Sequence, residues 1–341
     1  MKEPMAEGTN PLVSVVTPFY NTAAFLDEAI RSVRAQRYPD FEYILADNCS
    51  TDESLEIARH HAAEDPRIRV VTHTEFIDQD ANYNRALGYI SPDSRYCKIV
   101  QADDTIDADC LGDMVALAEA HPTVAIVGCC FIAGDRVGGH GLSFERRVFG
   151  GREACRTRLL QGGTYFGSPT SLLYRSDVVR NRQPFFNLDE TNADTTACFE
   201  ILRDADFGFV PQILAYLRRG NSSTWERLQD WGAGEFMNYA LVERYGPVYL
   251  SPDETRRRGA ALQRAHLRWL AHAVRKWPQR GFWRFQKMRY ASLGRPLPVA
   301  RLGIEVIDAI LDRALNPLRT VRGAVSRLRR TVSHDSRDDG P

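Results

Sequence analysis

Apolar residues in the first 130 positions alternate between short runs and spaced stripes. Leu12-Val13-Ser14-Val15-Val16 predicts a strand, closed by Thr17-Pro18. Leu26, Ala29, Ile30 and Val33 then recur at helical spacing behind Asn21, a candidate cap. Phe41 to Ala46 predicts a second strand. Ser50-Thr51-Asp52-Glu53 has the form of a capping box and predicts a helix through about His61. Strands at Ile68 to Val71, Tyr96 to Val100 and Val124 to Cys130 alternate with helices at Asn82 to Ile90 and Asp107 to Glu119. This alternation with short links predicts an α/β fold, a mostly parallel sheet flanked by helices. Ligands of such sheets sit at the carboxyl ends of strands, so chemistry is expected just after each one.

The pattern then changes. Residues 134–141 and Gln161-Gly162-Gly163 are glycine-rich and predict loops. Phe207 to Leu217 reads as a strand pair broken at Pro211. After Asn221-Ser222-Ser223 the periodicity is helical. Ser251-Pro252-Asp253-Glu254 is a second capping box, with Pro at the first helical position, and starts a helix to about Trp277. The expected organisation is a disordered start (1–10), a sheet domain (11–224), a helical region (225–330) and a disordered tail (331–341).

The 341 residues carry 44 basic and 44 acidic side chains. From Thr255 onward there are 20 Lys/Arg and 6 Asp/Glu, a net of +14, which leaves −14 on the preceding part. An acidic body with a basic segment implies two kinds of partner. No run reaches the roughly 18 apolar residues that span a bilayer, and Met1 to Asn10 lacks a signal-like apolar stretch. Seven cysteines without CxxC spacing predict reduced thiols in a cytoplasmic protein.

Glycine-rich phosphate motifs are absent: there is no GxGxxG after the first strand and no GxxxxGK[ST]. That sets aside a nucleotidyltransferase, which would need a basic glycine loop there. Two strands end in acidic or amide residues instead, at Asp47-Asn48 and at Gln101-Ala102-Asp103-Asp104. Paired carboxylates at a strand end suit Mg²⁺ or Mn²⁺, which take oxygen ligands and keep positions open for phosphate. A solvated turn with a helix cap is the structural alternative.

Taken together these motifs are specific. Val13 to Asn21, Phe25 to Val33, Asp47-Asn48-Cys49-Ser50-Thr51-Asp52, Asn84-Arg85-Ala86-Leu87 and Gln101-Ala102-Asp103-Asp104 stand in one order. Over residues 11–223 the chain resembles the family 2 glycosyltransferases, inverting enzymes with the Rossmann-like GT-A fold. The resemblance implies a hexosyltransferase that moves one sugar from a nucleoside-diphosphate sugar to a saccharide or lipid-linked hydroxyl acceptor, in cell-surface polysaccharide or glycolipid synthesis. It places Pro18, Tyr20 and Asn21 around the base and ribose, and Asp47 on the base ring. Arg85, Arg218 and Arg219 fall near the diphosphate. Asp103 and Asp104 match the DXD motif that binds ribose and metal, with Asp104 the direct ligand. Asp194 matches the general base, with Asp189 and Glu190 as fallbacks, and residues 167–171 line the acceptor side.

The departures also matter. Gln101 stands where the DXD motif has an acid, Asn48-Cys49 replaces Asp-Gly, and Ala193 replaces the Glu before the base. They keep open a second reading, a non-catalytic binding or scaffold protein. The Gln-x-x-Arg-Trp motif of processive synthases is absent, which favours single additions.

In the basic segment, Leu262, His266, Trp269, Ala273 and Trp277 share one helical stripe, and Ile304, Ile307, Leu311 and Leu315 another. With arginines at 301, 313, 319 and 322 they predict basic amphipathic helices. Residues 255–330 could lie on an anionic membrane at the inner face of the cell. They could also pack on the catalytic domain or form a homodimer. No nucleic-acid motif accompanies the charge, so nucleic acid is not expected as a partner.

Overall fold

The computed structural model describes residues 10–187, 192–220 and 228–315. The chain divides into two compact units. One holds residues up to 223 with Val248–Leu250; the other holds the rest of 224–341.

The strands of the first unit are β1 (Val13–Phe19), β2 (Phe41–Asp47), β3 (Ile68–Val71), β4 (Tyr96–Ile99), β5 (Thr105–Ile106), β6 (Val124–Ala133), β7 (Arg136–Gly138), β8 (Val148–Phe149), β9 (Leu172–Arg175) and β10 (Asp206–Leu217). Its helices are α1 (Ala23–Arg34), α2 (Ser54–Glu64), α3 (Gln79–Leu87), α4 (Cys110–Ala120), α5 (Gly151–Gln161), α6 (Ser176–Asn181) and α7 (Ala193–Ile201). One sheet runs in the order β3-β2-β1-β4-β9-β6-β10-β5. Strands β1 to β4 pair in parallel, as the alternating pattern predicts. Strand β9 enters antiparallel between β4 and β6, so the sheet is mixed. Leu26, Ala29, Ile30 and Val33 of α1 are all fully buried on it.

That reversal positions the site. The start of β9 lies beside the carboxyl end of β4, with Lys98 opposite Leu173. Residues 167–171, just before β9, therefore arrive where β4 ends. The end of β10 arrives there too, because Tyr216 pairs with Thr105 just past β4.

Four local expectations need correction. Thr17-Pro18 does not end β1, which continues to Phe19 opposite Asp47. Proline's missing N–H is tolerated because β4 pairs only as far as Val16. Phe207 to Leu217 is one strand, not two: register shifts between Val210 and Ala215 absorb Pro211 as a bulge. Strand β7 lies within the predicted loop 134–141, and α5 runs on to Gln161, the first residue of the other predicted loop. Neither predicted cap at α1 or α2 forms from its own helix.

The second unit contains α8 (Ala233–Tyr249, of which Val248 and Tyr249 belong to the first unit), α9 (Pro252–His272), α10 (Arg280–Ala291) and α11 (Val299–Leu315). The Ser251 capping box forms, with the Ser251 hydroxyl on Glu254 N–H and the Glu254 carboxylate on Ser251 N–H. His266 is buried, and Leu262, Trp269 and Ala273 pack against the same core with Phe236, Tyr239 and Tyr290. The first basic stripe is thus the interior of this unit. None of the described helices is long and apolar enough to cross a membrane, and all seven cysteines are free thiols. The segments expected to be disordered, 1–10 and 331–341, lie almost wholly outside the described residues.

Candidate functional site

The turns after β1 and β2 clasp each other. Asn21 N–H donates to Ser50 Oγ at 3.1 Å, and Thr51 N–H donates to Asn21 Oδ1 at 2.8 Å. Ser54 Oγ and an Asp52 carboxylate oxygen accept from Thr22 N–H and Ala23 N–H, at 2.8 and 3.0 Å. Ser50 and Asp52, read as part of a cap for α2, thus serve the start of α1, while the other Asp52 oxygen accepts from Ser54 N–H at 3.0 Å at the start of α2. Asn21 joins the two turns with φ 50°, and Cys49 has φ 64°. Cys49 therefore holds the left-handed conformation that glycine, the resembled family's residue here, adopts without strain.

Asp47 is buried at the tip of β2 and accepts from Ser50 N–H at 3.0 Å. Asn48 is clipped to the backbone of Ile77, donating to its carbonyl at 2.7 Å and accepting from its N–H at 3.2 Å. An aspartate there could make only the second bond, so the amide is matched to this loop. Arg85, on α3, donates to Asn48 Oδ1 at 2.8 Å, and its Nε is buried without a partner. Pro18 is buried, whereas Tyr20 is exposed with its ring 4.7 Å from that of Phe76. Phe76, itself exposed, is a neighbour the sequence did not single out.

At the end of β4, Asp104 is 4% exposed. Its Oδ2 accepts from Thr170 Oγ1 at 2.6 Å and its Oδ1 from Arg218 N–H at 3.0 Å. Burial, with Asp103 alongside, pushes its pKa up to about 7, against the opposing pull of those bonds and of Arg219. Thr170 Oγ1 also accepts from Gln101 N–H at 3.1 Å, and Gln101 Oε1 takes the Ser168 hydroxyl at 2.7 Å. Gln101 therefore joins the turn to residues 167–171. Lys98, fully buried in β4, donates Nζ to the carbonyls of Thr170 and Leu172. A lysine inside the apolar run Tyr96 to Val100 is a signal that could have marked it.

Asp103 is half-buried and more open than Asp104. Among the described residues no group of three or more His, Cys, Asp or Glu is arranged to hold a metal ion. Among the described residues, the turn after β4 would thus offer the two carboxylates of Asp103 and Asp104. That fits a hard divalent cation completed by phosphate and water, the usual arrangement for Mg²⁺ at a nucleotide. A cation would also offset the crowded negative charge that raises Asp104.

Asp194 occupies the first turn of α7, where its Oδ1 accepts from Thr195 N–H at 2.7 Å. Burial pushes its pKa up to about 6, and Asp80 on α3 adds to the rise. Asp80 was not anticipated. It lies one turn before Asn84, which pairs with Phe186 N–H and carbonyl at 2.7 Å each and so ties α3 to the chain leading to α7. The fallbacks Asp189 and Glu190 lie outside the described residues. Arg218 is engaged by Glu28 and, at 3.1 Å, by the Asp103 carbonyl. Arg219 is exposed, near enough to Asp104 to lower its pKa.

The model of "Glycosyl transferase family 2" matches residues 14–182. The putative teichuronic acid biosynthesis glycosyltransferase TuaG of Bacillus subtilis is 36% identical over 94 residues, 28% of this chain and 36% of its own length. The chain spans between 13% and 48% of the length of this and three other curated relatives. Among solved structures, S. aureus TarS 1-349 in complex with UDP-GlcNAc superposes with a TM-score of 0.52 at 15% identity, over 87% of this chain and 88% of that one. The mannosyltransferase PcManGT of Pyrobaculum calidifontis, in complex with GDP-Man and Mn2+, gives 0.53 at 17%, over 87% of each chain. At that identity the likeness concerns the fold alone. Through residues 14–182, with strand-end carboxylates on a helix-flanked mixed sheet, the chain belongs to glycosyl transferase family 2 and has its GT-A fold.

Proposed function

We propose that the protein is an inverting transferase that moves a single sugar from a nucleoside-diphosphate sugar to a hydroxyl acceptor. The observation that carries this reading is the pairing of Asp103 and buried Asp104 at the end of β4, with Asp194 in the first turn of α7, its pKa raised by burial. TarS and PcManGT, which share the fold, are complexed with UDP-GlcNAc and GDP-Man.

In this mechanism Pro18, Tyr20, Asn21 and Asp47 hold base and ribose, and Asp103 and Asp104 would hold Mg²⁺ or Mn²⁺. When bound, the cation supplies charge neutralisation for the departing diphosphate. Arg219 adds positive charge on the same side, while Arg85 acts through Asn48. Asp194 takes the proton of the acceptor hydroxyl, and that oxygen bonds to the anomeric carbon from the face opposite the diphosphate. The C–O bond to the diphosphate breaks and its electron pair leaves with the phosphate oxygen. The acceptor would be a growing surface saccharide or lipid-linked glycan, and the basic segment 255–330 would bring the enzyme to the cytoplasmic face of an anionic membrane.

A panel of UDP-, GDP- and dTDP-sugars, with and without Mn²⁺, tests this reading. Asp104→Asn should lose turnover and metal-dependent nucleotide binding. Asp194→Asn should lose turnover while still binding donor. Full activity in both variants would remove the assignment. Gln101, committed to Ser168, favours the second reading, a non-catalytic nucleotide-sugar binder. Metal-independent binding without any turnover would support it.

A further inference from the structure

We infer that α11 is the element that seats the protein on an anionic lipid surface, rather than the basic segment as a whole. This rests on the membrane reading above and narrows it to one helix face.

Helix α11 has two apolar sides. Leu302 and Ala309 face inward, and between them Glu305 is buried and takes Arg268 at 2.8 Å and Arg264 at 3.6 Å. Val299, Ile304, Ile307, Ile310, Leu311 and Leu315 are 49–76% exposed. At about 100° per residue these six span roughly 160° of the helix surface. Only Ala300, Gly303 and Ala314 fall among them, so no charged residue interrupts the arc.

A second copy of the chain is a poor occupant by size. A helix of this length is about 25 Å long, and one face some 10 Å wide offers a few hundred Å², against about 800 Å² per partner in a stable interface. Charge complementarity favours lipid. Between Asp312 and Asp335 the sequence holds six arginines and no acidic residue. An uncharged apolar arc followed directly by a basic run has the two properties of an interfacial anchor: acyl contact and headgroup attraction.

The test uses the full chain and vesicles of phosphatidylcholine with or without phosphatidylglycerol. Ile307→Glu with Leu311→Glu alters only exposed positions, and the thermal melt checks that the fold is kept. The wild type should sediment with the anionic vesicles and hardly with the neutral ones. The double variant should partition at least tenfold less, with nucleotide binding unchanged. Equal sedimentation of variant and wild type would overturn the role of α11 and leave the membrane reading to the other basic residues. Failure of the wild type to bind any vesicle would overturn the membrane reading itself. A concentration-dependent dimer that the same substitutions dissolve, without vesicle binding, would make the arc a protein interface and also overturn it.

Discussion

Thr170 gives its hydroxyl proton to Oδ2 of Asp104 across 2.6 Å, and Thr170 Oγ1 itself accepts the N–H of Gln101. This hydroxyl is where the segment before β9 locks onto the turn after β4. It holds one carboxylate oxygen in place. Thr170→Val keeps the shape and deletes the bond. Losing a hydrogen bond to a buried carboxylate costs about 1.5–3 kcal/mol. Metal-dependent nucleotide binding, measured by calorimetry, should weaken roughly 10- to 100-fold, while Thr170→Ser should stay near wild type. Equal affinity in the valine variant would show that Asp104 is held by other means.

Asp194 makes a prediction about pH. A base must be ionised to accept a proton, and burial places this carboxyl near 6. Turnover should therefore fall as pH drops through about 6, tenfold per unit below it, and level off above. Asp80 raises Asp194 by its charge, so Asp80→Asn should move this limb to lower pH without abolishing activity. The profile of kcat/KM for both proteins measures it. A limb that stays in place in the Asp80 variant would remove Asp80 from the site.

Strands β1 to β4 and the strand-end carboxylates were legible because β-branched runs ending in acids need only local reading. The apolar stripe of α1 was equally plain. Thr170, Lys98 and Asp80 were not assigned their partners, because those contacts depend on β9 entering the sheet antiparallel, which alternation does not encode. Likewise Asp52 looked like part of a cap for α2; one of its oxygens does take the Ser54 N–H there, and the other serves α1 across the clasp. Helix α5 was missed because Gly-Arg-Glu-Ala-Cys-Arg-Thr-Arg between glycine-rich stretches shows little apolar periodicity. Local patterns reveal elements, and contacts across many residues reassign their ends.

Cys49 tests the strain in the clasp. Its φ of 64° disfavours any residue with a Cβ and most of all a β-branched one. Its thiol recovers part of that cost by reaching the His73 carbonyl at 3.1 Å. Cys49→Val should destabilise by about 2 kcal/mol. Cys49→Gly should change stability by less than about 1 kcal/mol, since relief of strain offsets added unfolded-state entropy. Urea unfolding of the three proteins gives both numbers. A valine variant as stable as wild type would show that the turn relaxes without cost.

His266 is fully buried among Phe236, Trp269 and Tyr290, and among the described residues neither ring nitrogen makes a well-formed hydrogen bond, the Gln286 side chain offering only a weak one. Burial, with Arg289 adding repulsion, pushes its pKa down to about 3. The folded state thus refuses a proton that the unfolded chain accepts below about 6.5, the ordinary histidine value. Stability from this residue is complete above that pH and declines as pH falls toward 3, by about 2 kcal/mol at pH 5. His266→Phe fills the same aromatic site without a titrating or unpaired group. Its melting temperature should match or exceed wild type at pH 7.5, and the gap should widen steadily down to pH 4. A gap that stays constant over that range would mean His266 takes up its proton while folded, with water or a shifted neighbour supplying the partner it lacks here.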